Sequence, residues 1–355
     1  MVDWLDRSAS GELGDPARIH HEGMVARAAL EDARDRIAVW LGVRPRQVVL
    51  TSGASESIGA ACFGARARGA DHMVCSPAEH SAVREWAARG PSTDVGLDHH
   101  AMVAPEAVAE VVGDRTAMVH VQWTNHEVAT RQPVEEVVAA VAGSGVLVHV
   151  DAAQAGPEAP AAVASGADVV SLSGHKSGAP AGTGVMVVRR GLRLPPLLVG
   201  GDQERARRAG MENLVAVAGL AAVADTLAAD GDAELRRLRQ LGDRLRRWAS
   251  AADGVQVLGH PDRHAAHLVC LALEGIEPQP VLLGLDQRGV SVHSGSSCSS
   301  EAFEPSPVLE AMGVDAQRSL RLSVGWSTSD EDVETAIGAL EEVLADLRRL
   351  GRKPT

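Results

Sequence analysis

The stretch Val148–Gly184, VHVDAAQAGPEAPAAVASGADVVSLSGHKSGAPAGTG, decides the fold. An apolar run closes on Asp151, an Ala-rich segment of helical character follows, and a second apolar run, Asp168 to Leu172, closes on Ser173-Gly174-His175-Lys176. Strand, crossover helix and strand make a parallel unit, so Asp151 and Lys176 are expected at the carboxyl ends of neighbouring strands. In open α/β sheets that rim is where ligands bind.

A carboxylate and a lysine on adjacent strand ends, with Ser173 and His175 beside the lysine, suit pyridoxal phosphate (PLP). That cofactor needs a lysine to hold it covalently, an acid to keep its ring nitrogen protonated, and donors for its phosphate. Taken singly, a lysine is ordinarily a solvated side chain and Asp-x-x-Gln a turn. The pair at this spacing is what points to PLP.

Upstream, Gln47 to Leu50 reads as a short buried strand that breaks into Thr51-Ser52-Gly53-Ala54-Ser55-Glu56-Ser57 and opens an Ala-rich helix. Free amides and hydroxyls at such a helix start point at an anion, although many such turns are plain N-caps. Beside a PLP lysine the turn becomes a phosphate cradle. The strand HMVCS leads into Pro77-Ala78-Glu79-His80, where His80 is either structural or stacked on a ring. The strand Ala117–Gln122 ends in Trp123-Thr124-Asn125-His126-Glu127, again at the ligand rim. The repeated unit predicts a mostly parallel sheet covered on both faces.

Downstream, GVMVVRR reads as a strand that turns back, and LLVGGDQERARRAGMEN as a Gly- and Arg-rich loop before an Ala-rich helix. A separate charged helix, Ala233 to Trp248, is expected to bridge to a second domain. That domain would carry strands at Val255–Leu258, His267–Ala272 and SLRLSVG, and a terminal helix opening at STSDED. The expected division is a large domain over residues 12–231 and a small one over 232–355 together with 1–11. Cys298, in Ser294-Gly295-Ser296-Ser297-Cys298-Ser299-Ser300, is either a chance thiol in a linker or a nucleophile on a flexible loop. Arg321 is a candidate fork for a substrate carboxylate.

Composition narrows the class. The chain has 355 residues, a formal net charge of -13 and 45% hydrophobic residues, so it is globular and carries no basic stripe for nucleic acid. Cys62, Cys75, Cys270 and Cys298 form no CxxC pair, which leaves no disulfide framework or metal site expected and makes a reducing cytoplasm the simplest compartment. The first residues are polar and acidic, and no run approaches the roughly 20 apolar residues of a membrane span.

Assembled, the motifs TSGASES, AEHSAV, TNHEVATRQPV, HVDAAQA, SLSGHKSGAPAGTG, GGDQERARRAG and HSGSSCSSEAFEPSPVL resemble those of the cysteine desulfurases, class-V aminotransferase-type PLP enzymes. The likeness is to the long-cysteine-loop group that supplies sulfur for iron-sulfur clusters and tRNA thiolation. It implies PLP fold type I, an α/β architecture with a large, mostly parallel seven-stranded sheet flanked by helices and a smaller α+β C-terminal domain. It further implies that Lys176 holds PLP and moves protons, Asp151 pairs with the ring nitrogen, Gln154 bonds the ring oxygen, and His80 stacks on the ring and acts as acid or base. Ala54, Ser55, Ser173 and His175 would bind the phosphate, and His126 would lie near the ring and the substrate carboxylate that Arg321 clamps. Cys298 would take sulfur from L-cysteine as a persulfide, leaving L-alanine, for a protein acceptor; a homodimer is implied as well.

The chain also departs from the pattern. Met211 stands where the family usually has Thr, His126 replaces an Asn, Ala129 a Gly, and Trp326 a common Arg, and the opening strand with its Ala-Thr-Thr-Pro turn is missing. Two other readings therefore stay open: a C–S lyase or selenocysteine lyase of specialised metabolism, and a weakly catalytic dimer partner or scaffold.

Overall fold

Runs rich in Val, Met and Leu become strands because such side chains pack well on a pleated, buried surface. In the computed structural model, which describes residues 1–294 and 306–351, six such runs and one polar edge strand, β3, form one sheet: β1 (Val48–Thr51), β2 (His72–Cys75), β3 (Ser92–Asp94), β4 (Thr116–Gln122), β5 (Leu147–Asp151), β6 (Val169–Ser173) and β7 (Gly184–Val188). The spatial order is β1-β7-β6-β5-β4-β2-β3. Neighbours from β6 to β3 run parallel, while β7 is antiparallel to both β6 and β1. Strands β1, β4, β5, β6 and β7 are buried at every position, as a sheet covered on both faces requires.

The chain divides into two units. The first takes Met1–Val95, Ala104–Trp123 and Pro133–Asp232; the second takes Gly96–Val103, Thr124–Gln132 and Ala233–Thr355. Residues 1–11 fall in the first unit, where the Met1 sulfur approaches within 3.2 Å of the space a Cβ on Gly219 would fill. Residues 124–132 enter the second unit through a bridge from Thr130 to His264 and a bond from the Ala265 amide to the Ala129 carbonyl at 2.9 Å. Partners so far apart in the chain leave no local pattern.

The second unit is an antiparallel sheet, in the order β10-β11-β9-β8, made from β8 (Val255–Leu258), β9 (Leu268–Leu273), β10 (His293–Ser294) and β11 (Ser319–Ser323). Its core joins Leu271 and Leu320 of the sheet to Leu241 and Leu245, Val281 and Leu285, and Leu340 and Leu344 of three helices. The helix Pro278–Asp286 takes the apolar run Val281–Leu285.

The Ala-rich and charged segments, expected as two helices, are one helix of 38 residues, Leu214–Ala251. The unit boundary falls inside it, so its buried residues change partners midway and the apolar pattern changes with them. Among the described residues it alone is long and apolar enough to cross a membrane, with a mean hydropathy of 1.6 over its most apolar window, a property the sequence assigned to no segment. Leucines and valines contribute more to that value than the alanines between them. Leu214, Leu220, Ala221 and Ala224 are core residues, and Asp225 pairs with Arg36 at 2.5 Å.

Candidate active site

Because β1 and β6 both oppose β7, they run in the same direction, and the carboxyl ends of β1, β2, β4, β5 and β6 share one edge. A cleft of about 400 Å³ opens there, within the first unit. Its walls include the Ser52–Glu56 turn after β1, His80 beyond β2, Asp151 at the end of β5, and Ser173, His175 and Lys176 beyond β6.

Lys176 lies exposed in a short 3₁₀ turn, His175–Ser177. Close packing fixes that turn: a Cβ on Gly174 would stand 2.2 Å from the Thr183 hydroxyl, and the Gly174 amide donates to the Thr183 carbonyl at 2.9 Å. Among the described residues the Lys176 ammonium has no ion pair or hydrogen bond. Lys176 is also one of only two lysines in the chain, the other being Lys353. That count is a signal the motif reading passed over.

Asp151 is 8% exposed, and its Oδ1 accepts from the Ala153 amide at 2.9 Å. Gln154 follows on the same turn, half-buried. Ser173 Oγ lies 3.1 Å from His175 Nδ1.

The turn after β1 is built from its neighbours. A Cβ on Gly184 would collide with the Gly53 backbone at 2.5 Å, so β7 and the turn can meet only through glycine. No side chain caps the Ala54–Arg66 helix, and its first amides have no intrahelical acceptors. Ser55 is exposed, while Ser57 turns inward to Thr51 Oγ1 at 2.8 Å.

Glu56 braces the turn by accepting from the Ser52 amide and from Arg208, both at 2.9 Å. Burial works to raise its pKa, but these two partners outweigh burial and hold it below the usual carboxylate range. Further along the Arg208 loop, buried Glu204 takes a fork from Arg34 at 2.6 and 2.7 Å and the Leu50 amide of β1 at 2.9 Å. Neither brace was foreseen from the sequence, since Arg208 and Glu56 lie 152 positions apart.

His80 caps the Ser81–Ala87 helix, its Nδ1 accepting from the Ala82 amide at 3.0 Å. That contact requires a lone pair on Nδ1, so the ring's proton sits on Nε2. The loop before it is pinned to the end of β4: Glu79 Oε1 accepts from the Gln122 amide at 2.8 Å, and Gln122 Nε2 donates to the Ala78 carbonyl at 2.6 Å.

Below the rim, the side chain two residues before Asp151 on β5 projects from the same sheet face. It is His149, whose Nε2 lies 2.8 Å from Ser171 Oγ and whose Nδ1 lies 3.0 Å from His120 Nδ1. His120 Nε2 in turn lies 3.7 Å from Cys62 Sγ. Burial pushes His149 down to about 4, against the opposing pull of Asp151, lowers His120 as well, and pushes the Cys62 thiol up to about 12. Both rings are therefore neutral at pH 7.

In the second unit, Arg321 occupies the middle of β11, opposite Cys270 of β9 and His293 of β10. Its Nη1 donates to the His126 carbonyl at 2.9 Å. The His126 ring is buried, with Nε2 3.5 Å from Glu127 Oε1. Trp326 is 74% exposed after Gly325; Met211, in the first unit, is 52% exposed. Cys298 lies outside the described residues.

A sequence model of the class-V aminotransferases matches residues 9–335, nearly the whole chain. The chain belongs to the class-V aminotransferase family. Among the relatives of this class-V aminotransferase is the cysteine desulfurase IscS of Methanosarcina thermophila, 33% identical over 95% of this chain and 87% of that protein. A cysteine desulfurase of Gluconacetobacter diazotrophicus is 35% identical over 96% of this chain and 88% of its own length. Among solved structures, a NifS-like protein superposes with a TM-score of 0.88 at 26% identity, covering 97% of this chain and 95% of that one. The seven-stranded sheet and fold type I architecture expected from the motifs are thus present.

Proposed function

We propose that this class-V aminotransferase is a PLP-dependent cysteine desulfurase that moves sulfur from L-cysteine to Cys298 and on to a protein acceptor. The observation that carries the proposal is the Lys176 ammonium, without a partner among the described residues, in a cleft of about 400 Å³ that also holds a buried carboxylate and an uncapped helix start. This donor set fits PLP: a primary amine, an acid for the ring nitrogen, and amides and hydroxyls for a phosphate. When bound, PLP supplies an electron sink that acidifies the α-proton of the amino acid it carries.

The chain's own residues would divide the remaining work. Lys176 would hold the cofactor through Nζ, and the same nitrogen would move the α-proton once substrate displaces it. Asp151, with one oxygen already taken by Ala153, has its other oxygen for the ring nitrogen, and Gln154 would bond the ring oxygen. Ala54 and Ser55, with Ser173 and His175, would hold the phosphate, and the Arg208–Glu56 pair would keep that turn in place. His80, protonated on Nε2, would face the ring and serve as acid or base, and Arg321 with His126 would receive the substrate carboxylate.

The Cys298 thiolate would attack the substrate sulfur; the carbon–sulfur bond breaks, a sulfur–sulfur bond forms, and the carbon takes up a proton. The balance is L-cysteine plus Cys298 thiol giving L-alanine plus Cys298 persulfide. We expect a homodimer, in keeping with exposed Val199 and Met211, and a reducing cytoplasm, in keeping with free Cys62, Cys75 and Cys270.

The test is turnover of L-cysteine by the PLP-loaded protein, with alanine, sulfide and the mass of the Cys298 peptide followed together. Equimolar alanine and a one-sulfur gain on Cys298, both lost in Cys298→Ala, are expected. Undiminished sulfur release by Cys298→Ala would replace the desulfurase with a lyase.

A further inference from the structure

We infer that Asn125 is a positioning residue for Arg321, acting through the turn that aims the His126 carbonyl at the guanidinium. The inference rests on the reading in which Arg321 receives the substrate carboxylate. Both residues belong to the second unit.

Asn125 is fully buried. Its Oδ1 accepts from two successive amides, Glu127 at 2.9 Å and Val128 at 2.8 Å, and so folds the chain back on itself directly around residue 126. Its backbone closes the same turn, the amide donating to the Thr130 carbonyl at 2.8 Å and the carbonyl accepting from Ala129 at 3.2 Å. Ala129 sits at φ 66°, a left-handed conformation that a non-glycine residue holds only when its surroundings impose it. The product of this folding is one carbonyl, that of His126, turned toward Arg321 Nη1 at 2.9 Å.

An arginine side chain has many rotamers, and a carboxylate is gripped best by a fork already in place. Holding Nη1 on a carbonyl orients the planar guanidinium before substrate arrives, which reduces the ordering cost of binding. The acceptor is backbone, so the grip depends on the fold of the turn and not on the ring of residue 126.

A second brace keeps the turn in place independently. Glu127 Oε2 accepts from Ser306 Oγ at 2.5 Å, and Ser306 caps the Pro307–Ala311 helix through the Leu309 amide at 3.2 Å. With that brace intact, removing the Asn125 carboxamide should loosen the aim of the carbonyl without unfolding the corner.

The experiment compares PLP-loaded wild type, Asn125→Ala, Asn125→Asp and Arg321→Ala. It measures KM and kcat for L-cysteine and competitive inhibition by L-alanine and by cysteamine, an amine thiol with no carboxylate. Asn125→Ala should raise KM and weaken L-alanine by about tenfold, below the roughly hundredfold that a 1 Å misplacement can cost. Its kcat should stay within about threefold, and cysteamine within about twofold. Asn125→Asp keeps an acceptor oxygen and should recover most of the loss.

Equal weakening of L-alanine and cysteamine, or no change in either, would overturn the role of Asn125. If Arg321→Ala also fails to separate the two inhibitors, the carboxylate reading of Arg321 falls; if only Asn125→Ala fails to, this inference falls alone. Should Asn125→Ala not fold, Asn125→Ser, with a shorter acceptor, must show the same selective loss to a lesser degree, and an unselective or absent effect there counts against the inference.

Discussion

Two groups of polar side chains sit on the first unit's sheet only two residues apart along β5, and they differ in one respect. In the buried group of Cys62, His120, His149 and Ser171, every ring nitrogen has a neighbour within bonding distance. At the rim, Asp151 has an acceptor to spare and Lys176 has no partner among the described residues. Residue type alone would favour the lower group, which pairs a thiol with two imidazoles. Burial has instead neutralised both rings and left the thiol protonated, so that group serves the fold, and the proposed chemistry is assigned to the group whose capacity is unmet.

The largest expected effect breaks the rim and spares the fold. Lys176→Ala should lower cysteine turnover at least about 10⁴-fold, since in the proposed roles it removes both the attachment and a proton carrier. Stability of the unloaded protein should change by no more than about 0.5 kcal/mol in urea unfolding, as for other exposed substitutions. A stability loss comparable to a core deletion would erase the contrast.

The buried group should answer to pH and not to substrate. In the unfolded chain His149 titrates at an ordinary histidine value of about 6.5; in the fold it does so near 4. Between these values the unfolded chain binds the proton and the fold refuses it. The contribution of His149 is therefore fully present above pH 6.5 and is lost as pH falls to about 4, by roughly 3 kcal/mol, with His120 adding loss in the same direction. Denaturant unfolding measured across that window checks the slope, and a His149→Gln variant should show a shallower one.

The smallest effect concerns the loop that braces the rim. Glu204, Arg205 and Ala206 all hold positive φ, at 48°, 59° and 59°. Glu204 is fixed there by Arg34, but Ala206 gains nothing from its side chain. Ala206→Gly should stabilise the protein by up to about 1 kcal/mol, with relief of left-handed strain exceeding the entropy that glycine adds to the unfolded state. Thermal unfolding of the unloaded protein would register it, and activity should not move.

The contrast also explains what was legible beforehand. The strand end bearing Asp151 and the rim turn bearing Lys176 follow from apolar runs that alternate with polar rims, which are local features, and so the parallel sheet could be read directly. The Arg208–Glu56 and Arg34–Glu204 braces join residues 152 and 170 positions apart, and nothing near either residue signals its partner. The single helix Leu214–Ala251 looked like two because its contacts pass from one unit to the other along its length. The scarcity of lysine was plain in the sequence but is a count and not a motif; only the cleft gives it meaning.

That scarcity makes the decisive measurement clean. The protein would be loaded with PLP, treated with borohydride to make any lysine-bound cofactor permanent, and digested for peptide mass mapping. The account predicts one modification, on Lys176, that Lys176→Ala abolishes. Modification of Lys353 instead, or no stable attachment at saturating PLP, would contradict it.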